Sequence, residues 1–147
     1  MPESRLHQLS ALGQSVWIDS LSREWLRTGE LARMMAEDAV VGVTSNPTIF
    51  QKAMSEGDWY DDQLRAELER VDDPREVFVA LAVTDVQRAC DLLRPTWERT
   101  GGVDGYVSLE VDPELAYERD PTFDEAARLS GLVDRPNLLV KIPATVQ

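Results

Sequence analysis

Asn137-Leu138-Leu139-Val140-Lys141-Ile142-Pro143-Ala144-Thr145 is a run of branched apolar residues with one amine near its C-terminal end, closed by a proline. Pro143 cannot donate to a sheet ladder, so a strand stops there. Apolar residues at both parities predict a parallel strand buried on both faces. An ammonium is costly to desolvate in such a place. Lys141 therefore either ends the strand and snorkels to water, or is put to chemical use.

Three earlier stretches have the same form. Val16-Trp17-Ile18-Asp19, Val40 to Asn46 and Tyr106 to Val111 are short apolar runs, the second stopped by Pro47 and the third by Asp112-Pro113. Between them the spacing is helical. A polar lead-in runs to Gly13, and Ser20–Glu37 reads as two helices parted at Thr28-Gly29. Residues 47–71 read as helical, with a break at Gly57-Asp58. Asp73-Pro74-Arg75-Glu76 combines an N-cap acceptor, a first-turn proline and a Glu reaching back. That helix follows one face, with a single lapse, through Phe78, Leu81, Ala82, Asp85, Ala89, Leu92, Leu93 and Trp97 to Gly101-Gly102. A short helical turn is expected before Asp120-Pro121, and Thr122 to Glu125 has capping-box spacing for a helix ending near Leu132. Strands alternating with helices at these intervals predict an α/β fold with a parallel sheet, in a single domain over residues 1–147.

Strand parity sorts the side chains. Counting in twos from Asp19, Asn46, Glu110 and Lys141, the opposite set is Val16, Ile18, Val41, Val43, Ser45, Val107, Leu109, Leu138, Val140 and Ile142. This nearly all-apolar set suits a face covered by helices. Asp, Asn, Glu and Lys are left together on the other face, each near its strand's C-terminal end, where barrels of parallel strands keep their active sites. Each has a simpler reading: Asp19 as a helix cap, Asn46 as a turn residue, Glu110 as a mere ion-pair partner of Lys141.

Composition bounds the partners. A net charge of −12 over 147 residues argues against nucleic-acid binding, which needs clustered Lys and Arg. An anionic ligand would need a local positive site against that field. No apolar run is long enough to cross a bilayer and no apolar leader is evident, so the expected location is cytoplasmic, with no membrane partner. The single cysteine, Cys90, excludes an internal disulfide and a cysteine-cluster metal site, and its helical context predicts a buried, inert thiol. His7 is given no role.

The chemistry follows from the amine. At the reference pKa of about 10.4, only about one lysine in a few thousand is neutral at pH 7. Desolvation raises that fraction, and a free amine can attack a ketone to form a Schiff base, an electron sink for carbon–carbon cleavage. Protons must be moved during that sequence, and Asp19 and Glu110 are the candidates. Asn46, a donor and an acceptor at once, suits polyol hydroxyls.

Val16-Trp17-Ile18-Asp19, Gly42-Val43-Thr44-Ser45-Asn46-Pro47-Thr48, Val107-Ser108-Leu109-Glu110-Val111-Asp112 and Val140-Lys141-Ile142-Pro143-Ala144-Thr145 resemble, in order and interval, the four leading motifs of the transaldolase family. The resemblance covers the chain from about residue 13. It implies a (β/α)8 TIM-type barrel of which this chain holds the first four βα units, truncated after strand 4. It also implies transfer of a dihydroxyacetone unit from sedoheptulose 7-phosphate or fructose 6-phosphate to an aldose phosphate, in the pentose phosphate pathway. Lys141 would be the Schiff-base lysine, Asp19 the general acid/base, Glu110 a residue working through a bound water, and Asn46 with Thr44 the donor's holders. No cofactor or metal is implied.

The chain also departs from the family. A threonine that positions the catalytic water, and the serine and arginine that grip phosphate, lie on later strands; Val146-Gln147 stands where the family usually has Glu-Gly. A half barrel leaves its first and last strands as open edges. Alone it is expected to be inactive, and unstable, aggregated or self-associated until a second half completes it. Two alternatives remain: a related Schiff-base aldolase that cleaves without transfer, and a noncatalytic assembly module.

Overall fold

The structure is a computed structural model that describes residues 4–45 and 47–145. Four strands, β1 (Val16–Ile18), β2 (Val40–Ser45), β3 (Tyr106–Glu110) and β4 (Leu138–Lys141), pair in parallel as one sheet in chain order. Between and before them run α1 (Arg5–Ala11), α2 (Arg23–Thr28), α3 (Glu30–Glu37), α4 (Pro47–Ser55), α5 (Asp61–Leu68), α6 (Pro74–Arg99) and α7 (Arg119–Val133). This is the expected α/β fold, with β1 and β4 as edges.

The parity prediction decides the layering. Val43 and Val107 are fully buried, and with Leu109, Ile18, Leu138 and Val140 they pack against Val86, Ala89 and Leu93 of α6, Leu31 of α3 and Leu129 of α7. Each such side chain contributes roughly 1.5–3 kcal/mol on leaving water. Cys90 is fully buried in this cluster, and burial pushes its thiol up to about 12, as an inert thiol requires.

Helix boundaries follow local chemistry. Asp73 Oδ1 accepts from the Arg75 amide at 2.9 Å to open α6, while Glu76 does not reach back; it accepts from Arg128 at 3.0 Å instead. Gly29, at φ +83°, parts α2 from α3. α6 continues through Pro95 because Leu93 and Thr96 are buried on either side of it, and packing outweighs the lost backbone bond. The predicted start of α7 was too late. The helix begins at Arg119, its first turn accepts Pro121, and the Thr122 hydroxyl donates to the Leu115 carbonyl at 2.7 Å rather than capping.

Lys141 is not buried. Helices cover one face of the sheet and β4 is its edge, so Leu139 is 44% exposed and the Lys141 side chain 59%. Ile142, assigned by parity to the covered face, lies past the end of β4 and is 54% exposed.

One ion pair is sealed inside. Arg23 Nε donates to Asp85 Oδ1 at 2.8 Å, its guanidinium lies 4.3 Å from the Tyr60 ring centroid, and its backbone amide donates to the Tyr60 hydroxyl at 2.8 Å. The group ties the start of α2 to α6 and to the segment before α5. Truncating one partner strands the other charge, so Asp85→Ala is expected to cost about 3–5 kcal/mol in urea denaturation. Double replacement by Arg23→Met and Asp85→Leu should recover much of that loss.

Candidate active site

The uncovered face carries the polar residues that parity placed there. Glu110 and Lys141 are side-by-side partners across β3 and β4, and Lys141 Nζ sits 2.5 Å from Glu110 Oε1. Two strands away the Thr44 hydroxyl donates to Asp19 Oδ1. Ile18 pairs with Val43 and Thr44 with Ser108, so Asp19 and Thr44 stand one pleat below the row of Glu110 and Lys141. Asn46 lies outside the described residues. Of the five residues singled out from sequence, the structure thus forms two contacting pairs, Asp19 with Thr44 and Glu110 with Lys141, on one face of one sheet.

Sequence reasoning passed over Ser108. It lies between Thr44 and Leu139 in the same cross-strand row, is 6% exposed, and its hydroxyl is buried without a partner among the described residues. Its bonding capacity is unmet within the described residues, which is uncommon for a buried hydroxyl. Counting back two from Glu110 would have found it. Trp17 is the other omission: its ring lies over Gly42, where a Cβ would come within 2.2 Å of the indole, so it floors the polar rows. A glycine inside a strand is the sequence sign of such a close approach.

A cavity lies beside the candidate residues, toward the helices. A cavity of about 730 Å³ opens at the C-terminal end of β3 between α6 and α7, lined by Phe78, Val79, Leu109, Val111, Leu129 and Arg75 among others. Leu109 and Val111 bring the helix-facing side of the sheet to it, and of the described candidate residues Glu110 lines it while Lys141, Asp19 and Thr44 do not. Among the described residues no cluster of three or more His, Cys, Asp or Glu is placed to hold a metal, and no helix is long and apolar enough to cross a membrane.

Parallel strands that present an amine beside a carboxylate, and a second carboxylate beside a hydroxyl, at their C-terminal ends place the chain in the α/β class built for chemistry at a strand rim. A family model described as transaldolase/fructose-6-phosphate aldolase matches residues 16–147, and the chain belongs to that family. It is 57% identical over 138 residues to a transaldolase of Thiobacillus denitrificans, covering 93% of this chain and 38% of that one. The match to a transaldolase of Frankia alni is 56% over 140 residues, covering 95% and 38%. With a transaldolase of Thermobifida fusca it is 54% over 144 residues, covering 98% and 39%. The chain therefore spans under two fifths of the length of these curated relatives.

Proposed function

We propose that this chain supplies the N-terminal four βα units of a transaldolase barrel and the lysine on which that enzyme's covalent chemistry takes place. The contact between Lys141 and Glu110 carries the reading, because it puts an acid/base group within proton-transfer distance of the amine on the rim rows. The Lys141 amine attacks the C2 carbonyl of a ketose phosphate, sedoheptulose 7-phosphate or fructose 6-phosphate. Glu110, through a water, protonates the departing carbinolamine hydroxyl, leaving a protonated imine. Asp19 takes the proton of the C4 hydroxyl, the C3–C4 pair flows into the iminium, and an aldose phosphate leaves. The bound dihydroxyacetone enamine then attacks the aldehyde carbon of an aldose phosphate acceptor, Asp19 returns its proton to the new alkoxide, and water adds to the imine carbon and releases the product ketose from Lys141. Thr44, held by Asp19, and Asn46 bond the donor's hydroxyls. On this reading the protein works in the pentose phosphate pathway, in the cytoplasm.

The enclosure that a reactive lysine needs has to come from outside these residues, as does a phosphate grip. The rim arginines Arg75 and Arg128 are already held by Asp112 and Glu114, and by Glu76 and Glu125. The chain alone is therefore expected to give no turnover. A chimera in which it replaces the matched segment of the Thermobifida fusca transaldolase tests the reading. Borohydride with fructose 6-phosphate should reduce the imine and label the peptide carrying Lys141; a label elsewhere, or none from a folded chimera, refutes it. The matching family description also includes fructose-6-phosphate aldolase. Glyceraldehyde 3-phosphate released without an acceptor would favour cleavage over transfer.

A further inference from the structure

Resting on the reading of Asp19 as the group that moves the proton in carbon–carbon cleavage, we infer that the buried pair of Arg23 with Asp85 is a positioning device for that carboxylate. Arg23 and Asp85 are 2% and 0% exposed, and Asp85 Oδ2 is buried with no hydrogen-bond partner among the described residues. An ion pair taken out of water recovers its desolvation cost only where the remaining lone pairs are also satisfied. This one is therefore a poor source of stability compared with apolar packing, and what it supplies is geometry.

Asp19 is where that geometry matters. It is the first residue after β1, it is exposed, and its hydrogen-bond partner among the described residues is the Thr44 hydroxyl. It belongs to neither strand nor helix, so its direction depends on how the following residues are held. Leu21 is sunk in the core at 1% exposure, and Ser22 caps α2 by accepting from the Trp25 amide at 3.2 Å. Arg23 then fixes the far end of the turn through both main chain and side chain. Its amide donates to the Tyr60 hydroxyl and its Nε to Asp85, each at 2.8 Å, and its Nη2 donates to the Leu81 carbonyl at 3.3 Å. Leu81 and Asp85 stand one turn apart on α6, so the guanidinium is held at two levels of the same helix. Tyr60 packs edge-on against Phe50 of α4, the helix that follows β2 and Thr44. One cluster thus anchors the segments that follow both Asp19 and Thr44. A displacement of about 1 Å at a reacting group can cost on the order of a hundredfold in rate. Loosening this anchor should therefore harm the step that Asp19 serves and spare imine formation, which uses Lys141 and Glu110 on β3 and β4.

The test uses the chimera carrying Arg23→Met with Asp85→Leu, in which apolar groups refill both buried positions and the fold is kept. Borohydride is added with fructose 6-phosphate and no acceptor, and the adduct on the Lys141 peptide is weighed by mass spectrometry. In the parent chimera the adduct should be mainly the three-carbon unit, because the enamine left after cleavage becomes a reducible imine once protonated at C3. The double variant should be trapped as readily but mainly as the uncleaved six-carbon sugar phosphate, with turnover lower by on the order of ten- to a hundredfold. Asp19→Asn sets the reference for blocked cleavage and should give the same six-carbon adduct. Tyr60→Phe deletes only the hydroxyl that receives the Arg23 amide; it should move the same way by a lesser amount, and it carries the test if the double variant does not fold. A folded variant that keeps the three-carbon adduct and the parent's turnover overturns the inference and leaves the catalytic reading standing. Equal loss of trapping and turnover overturns it too, since that is the mark of general loosening. No adduct at Lys141 in the parent chimera overturns the catalytic reading and this inference with it.

Discussion

Lys141→Arg in the barrel-completing chimera is expected to abolish both the borohydride-trapped adduct and turnover, with the fold retained. Arginine keeps the charge and the ion pair with Glu110, but its guanidinium is never deprotonated in a protein and cannot add to a ketone. Losing the covalent route removes a step that splits one hard reaction into two easier ones, so a fall of at least about 10⁴-fold is expected. Circular dichroism and urea midpoints should match the parent, since Lys141 is largely exposed and Glu110 keeps a cationic neighbour. Residual trapping at another lysine would show that the nucleophile has been misassigned. Glu110→Gln serves as the companion variant. It leaves the amine in place and should slow adduct formation without preventing it.

Gly105→Val is expected to unfold the chain or bring it close to unfolding. Gly105 sits at φ +87°, where a β-branched residue is strained. A Cβ there would come 2.3 Å from the Trp97 backbone nitrogen and 2.8 Å from the Leu93 carbonyl, neither of which can move without breaking α6. The Gly105 carbonyl also accepts from Asn137 Nδ2 at 2.8 Å, and that same amide group bonds the Cys90 carbonyl at 2.9 Å. One residue thus sets the spacing of α6, β3 and the start of β4. Strain and overpacking together should cost roughly 4 kcal/mol or more, a large part of an ordinary domain's stability. Thermal denaturation checks this, and a native-like midpoint would mean that the loop can rearrange around the new side chain. Gly101→Ala is the control: φ is again positive, at +63°, but no atom lies within 4 Å of the added methyl, so only the smaller backbone penalty should appear.

Short strands ended by proline, the long capped helix and the alternation of apolar and polar positions were legible in the sequence because each depends on neighbours a few residues apart. The pairing of Glu110 with Lys141 was open to inference for the same reason: a strand's period of two leaves no choice of face once the opposite residues are apolar. Capping spacing misled at Thr122, because a capping box looks the same whether its hydroxyl bonds the helix or a carbonyl seven residues back. Ser108 was passed over because a serine among valines and leucines looks like filler until its row is known.

Sequence by itself determined the family, the α/β class and which residues share the polar face, since these follow from residue order and strand periodicity. Tertiary structure alone decided that Lys141 stands in the open rather than in a buried strand. Burial depends on which faces the helices reach, and they reach one face of a sheet in which β4 is the edge strand among the described residues. The internal ion pair of Arg23 with Asp85, the fit of Gly105 against α6 and the contact of Thr44 with Asp19 join residues about 8 to 62 positions apart in the chain. No local pattern marks such meetings; only packing brings them about.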